Sequence, residues 1–245
     1  MVMGIFRKLF ALVMALPVLA CGQIGNRAAP LEPALFLAQP LARTVERAPP
    51  FARHIAQSQN VMGGGIAGIL IGAAVTATIN NDERARSRIG EVPSPMNVDP
   101  GAIIEAMIGD HLIAEFGARP NVGQFYAGSV RETASVERAP KIAALARRRG
   151  LSGIVIDVVA LELYADSTGR NLGLVDEAFS VNVTAQMTLI DVATGTVIAS
   201  GTCEGNQGNT TLISSAVEDG ARLTTVLAQR AAASCAQQLI ERVLR

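Results

Sequence analysis

Between Ser180 and Ile190 the chain alternates. Val181, Val183, Ala185, Met187 and Leu189 fall on one side, and Asn182, Thr184, Gln186 and Thr188 on the other. A period of two places successive side chains on opposite faces of a pleated strand, so the run reads as a strand with one buried and one wet face. It also sets register, because a slip of one residue would turn the apolar set outward. Asp191 to Thr196 (Asp-Val-Ala-Thr-Gly-Thr) reads as a turn, and Val197 to Glu204 as the returning hairpin strand. Ile154 to Tyr164 is a further β-rich run, and Gly205 to Thr210 reads as a Gly/Asn loop.

Helices cover such a sheet. Asp99 can cap a helix with Pro100 in its first turn. Ile104, Ile108 and Leu112 then recur at spacing four, and Gly117 is a natural stop. No strand is visible ahead of this helix, because Glu91 to Val98 is rich in proline. Ala118 to Val136 is poorly patterned, with one short strand expected near Gln124–Val130. Ala139 to Arg149 forms a second helix ending in Arg147-Arg148-Arg149-Gly150, as the helix dipole prefers. Leu212 to Leu244 is a long Ala-rich helical region, broken near Gly220. The expected fold is α+β: a small mixed or antiparallel sheet of three to four strands packed by helices.

Composition narrows the function. Lys+Arg and Asp+Glu both number 21, so no global field attracts nucleic acid. Aromatic residues are 4% of the chain and tryptophan is absent, which removes a stacking platform for bases or sugars. The core must be built from Val, Ile, Leu and Ala.

The amino terminus is specific. Arg7 and Lys8 precede the apolar run Leu9–Leu19, which ends in Val18-Leu19-Ala20-Cys21. A basic head, a short apolar core and a small residue make a secretory signal over residues 1–20. Cysteine directly after the small residue resembles the lipobox of bacterial lipoproteins. That resemblance implies cleavage before Cys21 and lipidation of its thiol; the alternative is a membrane helix with an accidental cysteine. Gly22 is not the aspartate that retains lipoproteins in the inner membrane of enterobacteria, so the same resemblance implies the outer membrane of a Gram-negative cell.

Residues 21–60 read as a Pro-rich tether, interrupted at Pro30, Pro33, Pro40, Pro49 and Pro50, with short helical pieces at Ala34–Leu37 and Phe51–Gln57. Residues 61–80 form an apolar helix, uncharged from Val61 to Ile79 and near the length that crosses a hydrocarbon core. Gly64, Gly68 and Gly72 line one face and admit close helix packing. This resembles the glycine-zipper segments of envelope lipoproteins. It reads either as a membrane-inserted or self-associating segment or as a buried helix on the domain. Gly63-Gly64-Gly65-Ile66-Ala67-Gly68 matches a dinucleotide fingerprint in form only. No strand precedes it, and Asp82 and Glu83 come too early for the ribose. Residues 81–98 read as a linker and 99–245 as the folded domain.

Chemistry-bearing motifs are scarce. His54 and His111 are the two histidines, and no H-E-x-x-H, C-x-x-C, G-x-S-x-G or Walker pattern occurs. Asp157 shares strand parity with Val155 and Val159, so it either lies near a strand end or meets an arginine. Asp166, Asp176 and Glu177 read as solvent-facing hairpin charges. No catalytic residue, metal site or cofactor is expected.

Cys203 shares parity with Val197 and Ala199, while Cys235 lies on a helical stripe with Ala231 and Leu239. Both thiols can face the layer between sheet and helix. In an exported chain they read as a disulfide, with two buried free thiols as the alternative.

Ala143 to Ile156, with its helix, Arg149-Gly150 and strand, and Leu189 to Gly201, with Asp191-Val192-Ala193-Thr194-Gly195, together resemble one envelope family. It groups the periplasmic α/β domains of the curli secretion lipoprotein CsgG, the penicillin-binding-protein activator LpoB and the amino-terminal domain of TolB. The resemblance implies protein–protein work. The expected function is that of a non-catalytic adaptor or regulator of a cell-envelope machine, anchored in the outer membrane through Cys21 and facing the periplasm. The alternative is an oligomeric component or auxiliary lipoprotein of an export or transport system. The partners implied are the membrane, through Cys21 and residues 61–79, an envelope protein and further copies of the chain; nucleic acid is not among them.

Overall fold

A computed structural model describes residues 31–46, 48–54, 88–128, 130, 134–171 and 177–245. Among them the alternating run is strand β5 (Glu177–Asp191), hairpinned to β6 (Val197–Leu212) and paired on its other side with β4 (Ile154–Asn171), both antiparallel. The side chains of Val181, Val183, Ala185, Met187 and Leu189 are fully buried, as the period of two requires. The turn closes as read: the Asp191 carboxylate accepts from the backbone N–H of Ala193 at 2.7 Å, and Gly195 takes a φ of 75°.

The sheet is larger than the three to four strands expected. It has six, in the order β3–β1–β4–β5–β6, with β2 also on β4. Strands β1 (Pro40–Val45) and β2 (Phe51–His54) lie along the same side of β4 and parallel to it, β1 against Ile154–Ile156 and β2 against Leu163–Asp166. Strand β3 (Arg119–Tyr126) is the edge beyond β1. Pro40–Val45 and Phe51–His54 therefore belong to the sheet rather than to a tether, and Phe51–His54 is strand where a helical piece was expected. Pro40 stands at the first position of β1, and Pro49 and Pro50 fall between β1 and β2. In both places proline costs no ladder bond, so its spacing misled the sequence reading. The segment read as a linker is also partly core: Ile89 and Val92 are buried. Residues 1–30 and the glycine-zipper segment, with Cys21, Gly64, Gly68 and Gly72, lie outside the described residues.

Helix α1 (Pro100–Phe116) begins on the Asp99 cap, whose side chain accepts from Ala102 N–H at 3.2 Å, and stops at Gly117 with φ 66°. Helix α2 (Ser135–Arg148) starts earlier than expected and carries Pro140 inside it. Short α3 (Ile213–Glu218) and long α4 (Ala221–Val243) are separated by Gly220, as read. Helices α1 and α4 cover one sheet face, where the larger core gathers Ile104, Ile108, Phe179, Met187, Ala231 and Leu239. Helix α2 covers part of the other face through Ile142, Val155 and Ile190. The polar face of β5 is not wholly wet: Thr188 and Asn182 are buried there, Thr188 against the Ser135 hydroxyl at 2.9 Å. Among the described residues no helix is long and apolar enough to cross a membrane.

Gly205–Thr210 is strand, not loop. Its first residue explains why glycine stands there. A Cβ on Gly205 would overlap the carbonyl oxygen of Ala231 on α4, and the side chain is absent so that the Ala-rich helix can lie directly on β6. Backbone cannot give way as a side-chain tip can. Gly205→Ala should therefore destabilise the domain by about 1–3 kcal/mol, the usual range for overpacking. Urea unfolding of Gly205→Ala beside Gly150→Ala, which meets no atom but carries a φ of 72°, separates crowding from backbone strain; an equal loss in both would contradict the packing account.

Candidate functional site

The break between β1 and β2 is where polar chemistry gathers. The β1–β4 ladder ends at Arg43↔Ile156, so Thr44 and Asp157 stand just past the last paired residues. The Thr44 hydroxyl lies 2.9 Å from Asp157 Oδ1 and 3.2 Å from Glu105 Oε1 of α1. Arg138 of α2 grips the same aspartate with two bonds, Nε to Oδ2 at 2.6 Å and Nη2 to Oδ1 at 3.0 Å. Its Nη1 donates to the Val130 carbonyl at 2.9 Å, and its Nη2 also meets the Glu46 carboxylate. Thr44, Glu105, Arg138 and Asp157 are all buried.

A hydroxyl has one proton to give, so Thr44 cannot donate to both acids. Burial pushes the Glu105 carboxyl up to about 9, and the Asp157 charge adds to it, against the opposing pull of Thr44 and Arg43. Glu105 is therefore neutral near pH 7 and donates its proton to Thr44, which donates onward to Asp157. For Arg138, burial works against the cation, but the hydrogen bonds and charges of Asp157 and Glu46 outweigh it and raise its pKa. A neutral acid, a hydroxyl and an ion pair thus run in line from α1, through the open ladder, to α2. This line ties together two helices and two strands on opposite faces of the sheet.

A cavity of about 150 Å³ opens beside it, lined by Arg43, Thr44, Glu46, Asp99, Glu105 and Gln124 among others. The Arg43 Nε is buried there without a hydrogen-bond partner. No cluster of His, Cys, Asp or Glu arranged to hold a metal occurs among the described residues.

Of the residues singled out from sequence, Cys203 on β6 and Cys235 on α4 are joined in a disulfide, with Cα atoms 5.1 Å apart. Asp157 meets an arginine, one of the two readings its position allowed. His111 is half-buried beside the Phe116 ring. Glu177 is buried rather than solvent-facing, since β5 begins with it. Thr44, Glu105 and Arg138 were not singled out. One signal was available: Glu105 falls on the inward stripe of α1 between Gly101 and Gly109, where missing side chains leave room for a buried acid.

A second arrangement concerns the segment 55–87. Its two flanks meet: Arg53 Nε donates to the Val92 carbonyl at 2.9 Å, and Arg53 Nη2 to the Ser94 hydroxyl at 3.2 Å.

No family model matches the chain, and no curated protein does. Among solved structures, the chain is similar to the PelC dodecamer from Paraburkholderia phytofirmans in two crystal forms. One, a point variant, is 13% identical with a TM-score of 0.23 over 79% of this chain and 92% of that one. The other is 15% identical with a TM-score of 0.25 over 82% and 92%.

Two outcomes follow from the buried line. An acid whose folded pKa lies above its unfolded value favours the native state while protonated, and that contribution fades as pH rises from about 4.5 towards 9. Glu105→Gln keeps a neutral donor, so its stability should fall less over that window, by up to about 1 kcal/mol per pH unit. Urea midpoints at pH 5, 7 and 8.5 for both proteins check this; parallel profiles would mean that Glu105 is ionised in the fold. Separately, Arg138→Met leaves Asp157 buried without its cation and should cost about 3–5 kcal/mol, a loss that Asp157→Asn in the same chain should partly restore.

Proposed function

We propose that the chain is a lipoprotein, acylated at Cys21 and held in the outer membrane. Its α/β domain faces the periplasm as a non-catalytic adaptor or regulator of a cell-envelope machine. The observation that carries the export half of this reading is the Cys203–Cys235 disulfide. Such a bond persists in an oxidising compartment, which is where the signal in residues 1–20 would deliver the chain. It closes 32 residues of sequence and ties α4 to β6, worth about 3–4 kcal/mol on chain-entropy grounds.

The adaptor half is supported by the sheet face that α2 leaves open. Glu162, Thr202 and Glu204 are exposed there, with Tyr164 among them. Burial, then the charges of Glu204, Asp166 and Glu162, raise the Tyr164 pKa, the mark of a locally acidic surface. A face of this kind suits a basic protein partner.

The second reading, an oligomeric component or auxiliary lipoprotein of an export or transport system, is favoured by the Arg53 clasp. Both flanks of 55–87 meet there, and Gly64, Gly68 and Gly72 lie between them in sequence. That suits association of several copies through those glycines. Gly68→Leu should then lower the native mass of detergent-extracted protein, and an unchanged mass would remove this reading.

The main reading is tested at the anchor. Mass spectrometry of the purified protein should find acyl chains on an amino-terminal Cys21, and Cys21→Ser should abolish both acylation and processing before residue 21. In the same sample, without reduction, neither Cys203 nor Cys235 should react with a thiol-blocking reagent. A processed, acylated Cys21→Ser protein would overturn the anchor, and two alkylated cysteines would overturn the disulfide.

A further inference from the structure

The chain that follows Cys21 enters the domain through a pinned turn with two leucines turned out. Pro33–Leu35 is a single 3₁₀ turn. Phe36 is fully buried, its ring centroid 5.2 Å from that of Phe116 at the end of α1. Ala38 takes a left-handed φ of 59° and donates its N–H to the Gly117 carbonyl at 3.0 Å, and Gln39 accepts from Arg119 N–H at 2.9 Å. A non-glycine residue in that region is uncommon and costs energy. Yet this fixed turn leaves Leu35 50% and Leu37 66% exposed. Holding two large apolar side chains outward on a rigid base calls for something to cover them.

The same end of the sheet collects exposed arginines. The 191–196 turn lies there, and α2 finishes beside it, since Arg147 Nη1 donates to the Ala193 carbonyl at 2.8 Å. That places Arg148 at this end, while the Arg149 guanidinium lies along β3, 5.9 Å from the Phe125 ring centroid. Arg119 opens β3 next to Pro40. Helix α4 finishes there too: a Cβ on Gly201, near the start of β6, would press on Val243, which is followed by the chain terminus and preceded by Arg242. Arg119, Arg148 and Arg242 are exposed; Glu32, Glu115 and Glu241 are exposed acids at the same end.

Leu31 lies ten residues after Cys21, so a lipid on Cys21 holds the bilayer within about 35 Å of it, at full extension. We infer that this end of the domain docks on an anionic phospholipid surface, with Leu35 and Leu37 entering the headgroup boundary and Arg119, Arg148 and Arg242 meeting the phosphates. The inference rests on the proposed lipidation of Cys21 for which surface lies in reach. Apolar burial and charge attraction act together at an interface, and each alone holds weakly.

The absence of tryptophan supplies the probe. Leu37→Trp and Val217→Trp each introduce a single indole. Val217 is 45% exposed on α3, at the opposite end of the sheet. The full-length lipoprotein is reconstituted into vesicles of phosphatidylethanolamine and phosphatidylglycerol carrying brominated acyl chains. Emission from Leu37→Trp should shift to the blue and be quenched at least twofold, while Val217→Trp should not be. Replacing phosphatidylglycerol with phosphatidylcholine should weaken the quenching. No quenching of Leu37→Trp in acylated protein overturns the docking, as does equal quenching at both positions. A blue shift that depends on protein concentration without lipid would assign the leucines to a second copy and overturn it too.

A second arm separates docking from anchoring. Unlipidated Cys21→Ser protein lacking residues 1–20 should bind the phosphatidylglycerol vesicles in flotation, and Leu35→Ser with Leu37→Ser should weaken that binding about tenfold or more. Loss of acylation with this binding intact would remove the anchor and keep the docking surface. Intact acylation with no effect of the leucines would do the reverse.

Discussion

The Arg138–Asp157 pair holds the place where β1 parts from β4. Strand β1 leaves β4 after Arg43↔Ile156, and β2 rejoins it only at Leu163. A parted ladder exposes backbone and invites water into the interior. Here the opening is closed by side chains. Arg138 reaches in from α2, Glu105 from α1, and Thr44 and Asp157 come from the parting strands. Removing Arg138 leaves Asp157 buried without its cation, and removing Thr44 takes the Glu105 carboxyl's bond away, losses that cost more than the contact itself contributes. The proton on Glu105 is part of this balance. An ionised Glu105 beside Asp157 would put two carboxylates at one hydroxyl, with one arginine between two acids already.

What the sequence disclosed was local. The Asp99 cap, Pro100 and the Gly117 stop placed α1 to the residue, because capping chemistry acts over three or four residues. The hairpin turn at 191–196 was equally legible, since Asp191 and Gly195 each have a role within the turn itself. What stayed hidden was non-local. Strand β1 pairs in parallel with β3 and β4, far along the chain, and its prolines mimic a tether. No short-range pattern announces a parallel partner. The site is hidden for the same reason: Thr44 bonds Glu105 and Asp157 across separations of 61 and 113 residues. Only Asp157 was conspicuous alone, as a charge on an apolar parity, and its partner could be typed as an arginine but not located.

The glycines and alanines at the other face of the sheet solve a different problem. A chain with seven phenylalanines and no tryptophan cannot fill a wide gap between sheet and helix with large side chains. It closes the gap instead. Gly205 and Ala231 bring backbone against backbone, Cys203 and Cys235 join at the same level, and Leu239 and Val243 fill the space opposite Gly201. The sequence reading saw an Asn/Gly loop in Gly205–Thr210 because glycine in isolation signals flexibility. In contact with a helix it signals proximity.

These contacts also give the domain two distinguishable ends. The chain arrives from the amino terminus at the end where α1, α2 and α4 finish and β4 begins. Arg53 and Val92, which stand on either side of 55–87, meet beside β2, which pairs with Leu163–Asp166 farther along β4. At about 3.3 Å per residue, the start of β4 and the β2 pairing are roughly 30 Å apart. In sequence, Cys21 precedes one of these ends and residues 61–79 follow the other. If Leu35 and Leu37 rest on a bilayer, the Arg53 contacts beside β2 stand away from it by about that length.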